Sequence, residues 1–211
     1  MAGVIIVSAY LIGSFPGAWL ITKALTGKDL RRIGSGNVGV MNVAYSISRA
    51  AGLAVFMMEV AKGLLAIELA RALGADVFGL GLAAMAVVIG TRWPVWLQGA
   101  GGRGNTAGAA ALLATWWPAL VIFLGLWVLA RAFTNDHFVA TRTALLTWPV
   151  VLGLLAPSVY LAAFGAAASG VYLTTHSRRT DDHSRIKREW GSFGLFITAP
   201  HRSTKPWTLQ E

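Results

Sequence analysis

Two short glycine-rich segments hold the residues whose types and spacing can do chemistry. The first runs Ile33-Gly34-Ser35-Gly36-Asn37-Val38-Gly39-Val40-Met41-Asn42. Gly34, Gly36 and Gly39 permit positive φ and leave backbone amides uncovered, while Ser35, Asn37 and Asn42 add uncharged hydrogen-bonding groups. Just before a helix start, such amides and the helix dipole favour an anion. The same residues also suit a tight re-entrant turn in which Ser and Asn satisfy only their own backbone.

The second segment, Gly99-Ala100-Gly101-Gly102-Arg103-Gly104-Asn105-Thr106-Ala107-Gly108, is entered through Trp93-Pro94-Val95-Trp96-Leu97. Glycines on both sides of one Arg form a concave run of amides beside a guanidinium that can grip phosphate with two prongs. Gly99, Gly104 and Thr106 have the spacing of a P-loop. Asn105 takes the place of its essential Lys and no strand precedes, so nucleotide hydrolysis is excluded. A flexible turn carrying an Arg that sets topology is the plainer reading.

Two further groups are polar. Glu59 and Lys62 lie three residues apart on one helical face, inside an apolar run. Charges near a bilayer centre cost on the order of 3 kcal/mol each, which predicts an ion pair or a wet cavity. Asp181-Asp182-His183-Ser184-Arg185-Ile186-Lys187-Arg188-Glu189-Trp190 reads as a solvated helix whose His and acids also suit proton transfer.

The elements that must position these groups are membrane spans. Hydrophobic residues make up 55% of the 211 and charged ones 13%, with nine Trp, and the mean hydropathy is +0.60; together these place the chain in the membrane class. Apolar windows fall near 3–25, 50–73, 77–98, 105–116, 117–133, 140–156 and 158–175, with Pro118 and Pro157 marking kinks or breaks. An all-α polytopic bundle of about seven spans is expected. The first window has no basic n-region and is read as a retained span. With seven spans, sixteen of the eighteen Lys and Arg fall on one side, leaving Lys62 within a span and Arg71 opposite. By the positive-inside rule that side is cytoplasmic, so the N-terminus is outside, the C-terminus is inside, and both glycine segments open to the cytoplasm. Topology thus absorbs the net charge of +9 without invoking nucleic acid. Without Cys there is neither a disulfide nor a thiolate nucleophile. Residues 1–190 form the expected transmembrane domain and 191–211 a cytoplasmic tail.

Read together, these segments resemble the bacterial acyl-phosphate:glycerol-3-phosphate acyltransferases, integral membrane enzymes that make lysophosphatidic acid. Gly34-Ser35-Gly36-Asn37-Val38-Gly39 with Asn42-Val43 is similar to the family's first motif. Glu59-Val60-Ala61-Lys62-Gly63 is similar to its acid-x-x-Lys-Gly stretch. Gly90 to Gly104 resembles its second motif, Gly-His-x-x-Pro-x-Phe-Leu-x-x-x-Gly-Gly-Lys-Gly. Thr91 stands where the family has His, Met41 where it has Thr, Tyr45 where it has Arg and Arg103 where it has Lys; Gln98 and Ala100 replace further Lys. Of the third motif, His-x-x-Asn-Ile-x-Arg, Ile186-Lys187-Arg188 remains, with Arg185 in the Asn place and Asp182 in the His place; a one-residue shift lets His183 compensate.

The resemblance implies transfer of a fatty acyl group from acyl phosphate to the 1-hydroxyl of glycerol 3-phosphate at the cytoplasmic face of a bacterial inner membrane. No metal or organic cofactor is implied. Ser35 is expected to position substrate and Arg103 to hold phosphate. Contacts to substrate are expected from Gly34, Gly36, Asn37, Gly39, Asn42, Lys62, Thr91, Gly101, Gly102, Gly104, His183, Arg185 and Arg188. The acyl phosphate is already activated, so no covalent intermediate is needed. Two rival readings use the same chain: a repurposed paralogue that binds phospholipid or acyl phosphate without turnover, and an organic-anion transporter built on midplane charges.

Overall fold

In the computed structural model, residues 1–155, 159–176 and 182–198 are described, and their regular elements are all helical. They are α1 (Ala2–Ser14), α2 (Gly17–Thr26), α3 (Val40–Ser46), α4 (Arg49–Ala72), α5 (Val77–Arg92), α6 (Asn105–Thr134), α7 (His137–Leu155), α8 (Val159–Thr175), α9 (Asp182–Trp190) and α10 (Phe193–Thr198). Short 3-10 turns occupy Leu30–Arg32 and Val95–Leu97. Among the described residues, five helical stretches are long and apolar enough to cross a membrane: 2–26, 49–72, 77–97, 105–134 and 137–155.

The bundle is apolar outside and small-residue inside. Leu53, Met57 and Leu65 of α4, Leu113, Trp117 and Val121 of α6, and Leu146, Val150 and Leu154 of α7 are each more than half exposed. In lipid such a surface is solvated rather than exposed to water. The main core is largely Ala and Val, with Ala66, Ala70, Ala83, Val87, Ala107 and Ala111 at its centre. Small residues let backbones approach, which is what helix association in a bilayer relies on. A Cβ on Gly90 would lie 2.2 Å from the Tyr10 carbonyl of α1, and one on Gly63 would lie 2.3 Å from the Ala107 carbonyl of α6.

Two breaks shape the bundle. Pro16 ends α1 after Ser14 and leaves carbonyls without intrahelical partners. Lys62 and Thr91 take them up: Lys62 Nζ donates to the Gly13 and Phe15 carbonyls at 3.0 and 3.2 Å, and Thr91 Oγ1 donates to Gly13 at 3.1 Å. The windows expected at 105–116 and 117–133 are the two helical arms of α6, which meet at a break at Trp116, whose φ of −150° and ψ of 83° are not helical. Pro118 lacks an N–H and crowds the carbonyl four residues back, that of Ala114. Arg71, at the end of α4, donates to this carbonyl.

The two arms of α6 run in opposite senses. The first climbs alongside α4, from Ala107 beside Gly63 to Ala114 beside Arg71. The second descends along α7, with Trp148 Nε1 donating to Ala119 O at 2.9 Å and Trp127 Nε1 to Thr141 Oγ1 at 3.0 Å. Pro157 lies outside the described residues. Within the stretch expected as a tail, α10 forms and buries Phe196 against Tyr45 and Trp190.

Candidate active site

The first glycine segment is folded around Asn42, which is fully buried at the start of α3. Its Oδ1 accepts from the Ser35 amide at 3.2 Å and from Ser46 Oγ at 3.0 Å. Its Nδ2 donates to the Ile33 and Asn37 carbonyls, both at 2.9 Å. Gly34 sits at φ +60°, where a Cβ would meet Asn42 Oδ1 at 2.1 Å. Four of the amides expected to stand open are engaged within the loop. The N–H groups of Ser35, Gly36, Asn37 and Gly39 bond to Asn42 Oδ1, Ile33 O, Ser35 Oγ and Asn37 O respectively. A loop this tight uses its own donors because a buried amide without a partner is costly. The Ser35 hydroxyl accepts from Asn37 and keeps its own proton available to donate.

In the second segment the Gly101 and Gly102 amides donate to the Arg92 and Thr91 carbonyls at 3.2 and 3.1 Å. They too are unavailable as an anion cradle. Their lack of side chains serves approach instead, since a Cβ on Gly102 would stand 2.3 Å from the Val38 carbonyl of the first segment. The two glycine segments are therefore packed against each other at one end of the bundle.

Beside this contact lies a cavity of about 430 Å³, within the range of small-molecule sites. Its polar end is lined by Asn37, Gly39, Glu59, Thr91, Arg103, Gly104, Asn105, Thr106, His137, His176, Asp182 and His183. Its apolar end runs between the arms of α6 and α7 past Leu112, Leu120, Phe123, Leu124, Leu145 and Trp148. The Tyr172 hydroxyl donates to the Gly104 carbonyl at 3.3 Å and ties α8 to the rim.

Of the residues singled out from sequence, Asn37, Gly39, Thr91, Arg103, Gly104 and His183 meet on this cavity. Lys62 is held away from it by Glu59 Oε1 at 2.8 Å and the Gly13 and Phe15 carbonyls, which together occupy its three donors. Asn42, Gly34 and Gly36 build the loop behind the wall, and Ser35 reaches the wall through its bond to Asn37. Gly101 and Gly102 hold the contact between the segments. Arg188 is exposed on α9, and the Arg185 side chain lies outside the described residues.

Two lining residues had no sequence signal. His137 starts α7 and stacks on His183 with ring centroids 4.2 Å apart, and His176 stacks on Phe138 at 4.5 Å. Neither falls in a motif, and only the turn between α6 and α7 and the end of α8 bring them in. Tyr45 donates to the Glu189 carboxylate across the α3–α9 contact. Among the described residues no cluster of His, Asp and Glu is arranged to hold a metal ion.

The family model described as glycerol-3-phosphate acyltransferase matches residues 3–185. A glycerol-3-phosphate acyltransferase of Synechococcus sp. (strain CC9902) is 33% identical over 79% of the chain and 84% of its own length. One of Moorella thermoacetica is 39% identical over 70% of the chain and 81% of its own. The crystal structure of PlsY (YgiH), an integral membrane glycerol 3-phosphate acyltransferase, in its glycerol 3-phosphate form, superposes with a TM-score of 0.71 at 25% identity, covering 89% of this chain and 94% of that one.

Proposed function

The chain belongs to the glycerol-3-phosphate acyltransferase family, and from that premise we propose that its cavity transfers a fatty acyl group from acyl phosphate to the 1-hydroxyl of glycerol 3-phosphate. The observation that carries this reading is the shape of the cavity: a polar end with Arg103, Asn37 and three histidines, continuous with an apolar slot between α6 and α7. A phosphate-bearing head and an alkyl chain fit those two halves in one orientation.

In this mechanism the hydroxyl oxygen attacks the acyl carbon, the bond from that carbon to the phosphate oxygen breaks, and the departing phosphate takes the hydroxyl proton. The products are lysophosphatidic acid and inorganic phosphate. Arg103 holds the phosphate whose charge grows as it leaves, and the Ser35 proton positions the acceptor substrate. Asn37 and His183 supply side-chain donors on the wall around them, while Thr91, whose hydroxyl proton is held by the Gly13 and Val87 carbonyls, shapes the wall. Asn42 acts behind the wall by fixing the loop.

The orientation we assign puts this end of the bundle in the cytoplasm of a bacterial inner membrane. Counting the two arms of α6 as separate crossings, with 2–26, α4, α5, α7 and α8, gives seven. The N-terminus is then outside, and Arg31, Arg32, Arg49, Arg92, Arg103, Arg131 and Arg142 lie inside.

The test is a purified, detergent-solubilised chain offered labelled glycerol 3-phosphate with acyl phosphate or with acyl-CoA. Lysophosphatidate from acyl phosphate, reduced about 100-fold or more by Arg103→Ala and lowered by Ser35→Ala, is expected. Binding of substrate without product from either donor would sink the enzymatic reading in favour of a repurposed paralogue.

A further inference from the structure

We propose that α10 is a working part of this site: a clasp that fixes His183 at the cavity wall, with Phe193 and Phe196 as its positioning residues. It rests on the reading above for its kinetic test alone.

The geometry begins in α9. Asp182 and His183 at its start line the cavity, while Ile186, one turn on, is 1% exposed and packs with Tyr45 and Phe196. The chain then reverses at Gly191, whose φ is +74°, and Ser192 Oγ accepts from the Leu195 amide at 3.1 Å to start α10. This reversal carries Phe193 back onto His183, with centroids 5.3 Å apart. His183 is thus flanked by Phe193 and by His137, at 4.2 Å.

A six-residue helix has no stability of its own, so its anchors matter. Phe196 is 5% exposed, lies 6.0 Å from the Tyr45 ring and meets Trp190 edge-on at 5.7 Å. The Arg49 guanidinium stands 5.3 Å above the Phe196 ring and donates to the Ile197 carbonyl at 3.0 Å. Tyr45, from the same α3–α4 corner, also bonds Glu189. Because α3 begins within the first glycine segment, the clasp joins that segment to the wall carrying His183.

Loosening such a clasp leaves the binding-competent arrangement populated for only part of the time, and apparent affinity falls by that fraction. Saturating substrate restores the closed form, so KM moves and kcat does not. Phe193 is 41% exposed, which makes its removal mild for the fold. Phe193→Ala is expected to raise KM for glycerol 3-phosphate roughly tenfold with kcat within about twofold, and Phe193→Tyr to restore it.

A second measurement needs no turnover. The chain has no Cys, so Ile186→Cys is a unique probe of α9 docking in the full-length protein. Phe196→Ala is expected to speed its alkylation by a maleimide roughly tenfold. The clasp is overturned if KM is unmoved in Phe193→Ala, even with faster alkylation, because α10 would then support the fold alone. It is equally overturned if Ile186→Cys stays as protected in Phe196→Ala as in its absence. A parent chain lacking acyltransferase activity overturns the proposed function instead, and the alkylation response then decides the clasp by itself.

Discussion

At the scale of single residues, the site divides into groups that face the cavity and groups that hold them there. Asn42 is the clearest of the second kind, because one buried amide closes four hydrogen bonds. Asn42→Ala strands the Ser35 amide and two carbonyls, so a loss on the order of 3 kcal/mol is expected, read as a lowered melting temperature in detergent together with lost turnover. Sequence pattern singled out this residue but could not separate contact with substrate from support of the loop, since both uses select the same amide side chain. Asp29 gives a pH-dependent counterpart outside the spans. Its hydrogen bond from Arg31, helped by the Arg31 amide and Trp19, holds its carboxyl at about 2, below the ordinary 3.8. A depressed carboxyl contributes stability above its unfolded value and loses it as pH falls through the folded one. Parent and Asp29→Asn melting temperatures should therefore differ at pH 5 and converge as pH drops from about 4 to 2. The pair is partly exposed, so the difference should be under about 1 kcal/mol; a constant difference across that range would contradict the assignment.

Elements decide whether these residues meet. The glycine segments touch because Gly102 has no side chain where Val38 O passes. Gly102→Ala must push the segments apart, and activity should fall by more than about tenfold, as for small misplacements at a reacting centre, while the bundle stays folded by circular dichroism. Gly125→Ala, with nothing within 4 Å of its Cβ, should leave activity unchanged and serves as the matched control. Apolar windows made the helices legible in the sequence, because length and hydropathy are set locally. The pairing of His137 with His183 was not legible: it depends on how α7 starts and where α9 lands, which no local pattern encodes. Gly101 and Gly102 were legible as special positions and read as open amides, whereas their N–H groups are engaged and their missing side chains admit neighbouring backbone. Composition alone does not distinguish a glycine that exposes its N–H from one that admits a neighbour.

For the whole molecule, the deciding feature is the reversal within α6. Its 30 residues could cross a bilayer once if straight, since a helix rises about 1.5 Å per residue. The break at Trp116, the Arg71 cap on Ala114 and the antiparallel pairing of Trp127 and Ala119 with α7 argue for an ascent and a return. The two cases place Thr134 on opposite sides of the membrane. A single crossing puts it outside with the α4–α5 connection, and a reversal puts it inside with Arg103. The same distinction governs the cavity, because the apolar slot exists only if both arms face α7 from one end. In the Cys-free chain, Thr134→Cys should resist an impermeant thiol reagent added outside intact cells and react after lysis. Val77→Cys, 84% exposed at the opposite end, should react from outside in both. Labelling of Thr134→Cys from outside would make α6 one span, remove a wall of the slot, and overturn its proposed use for an acyl chain.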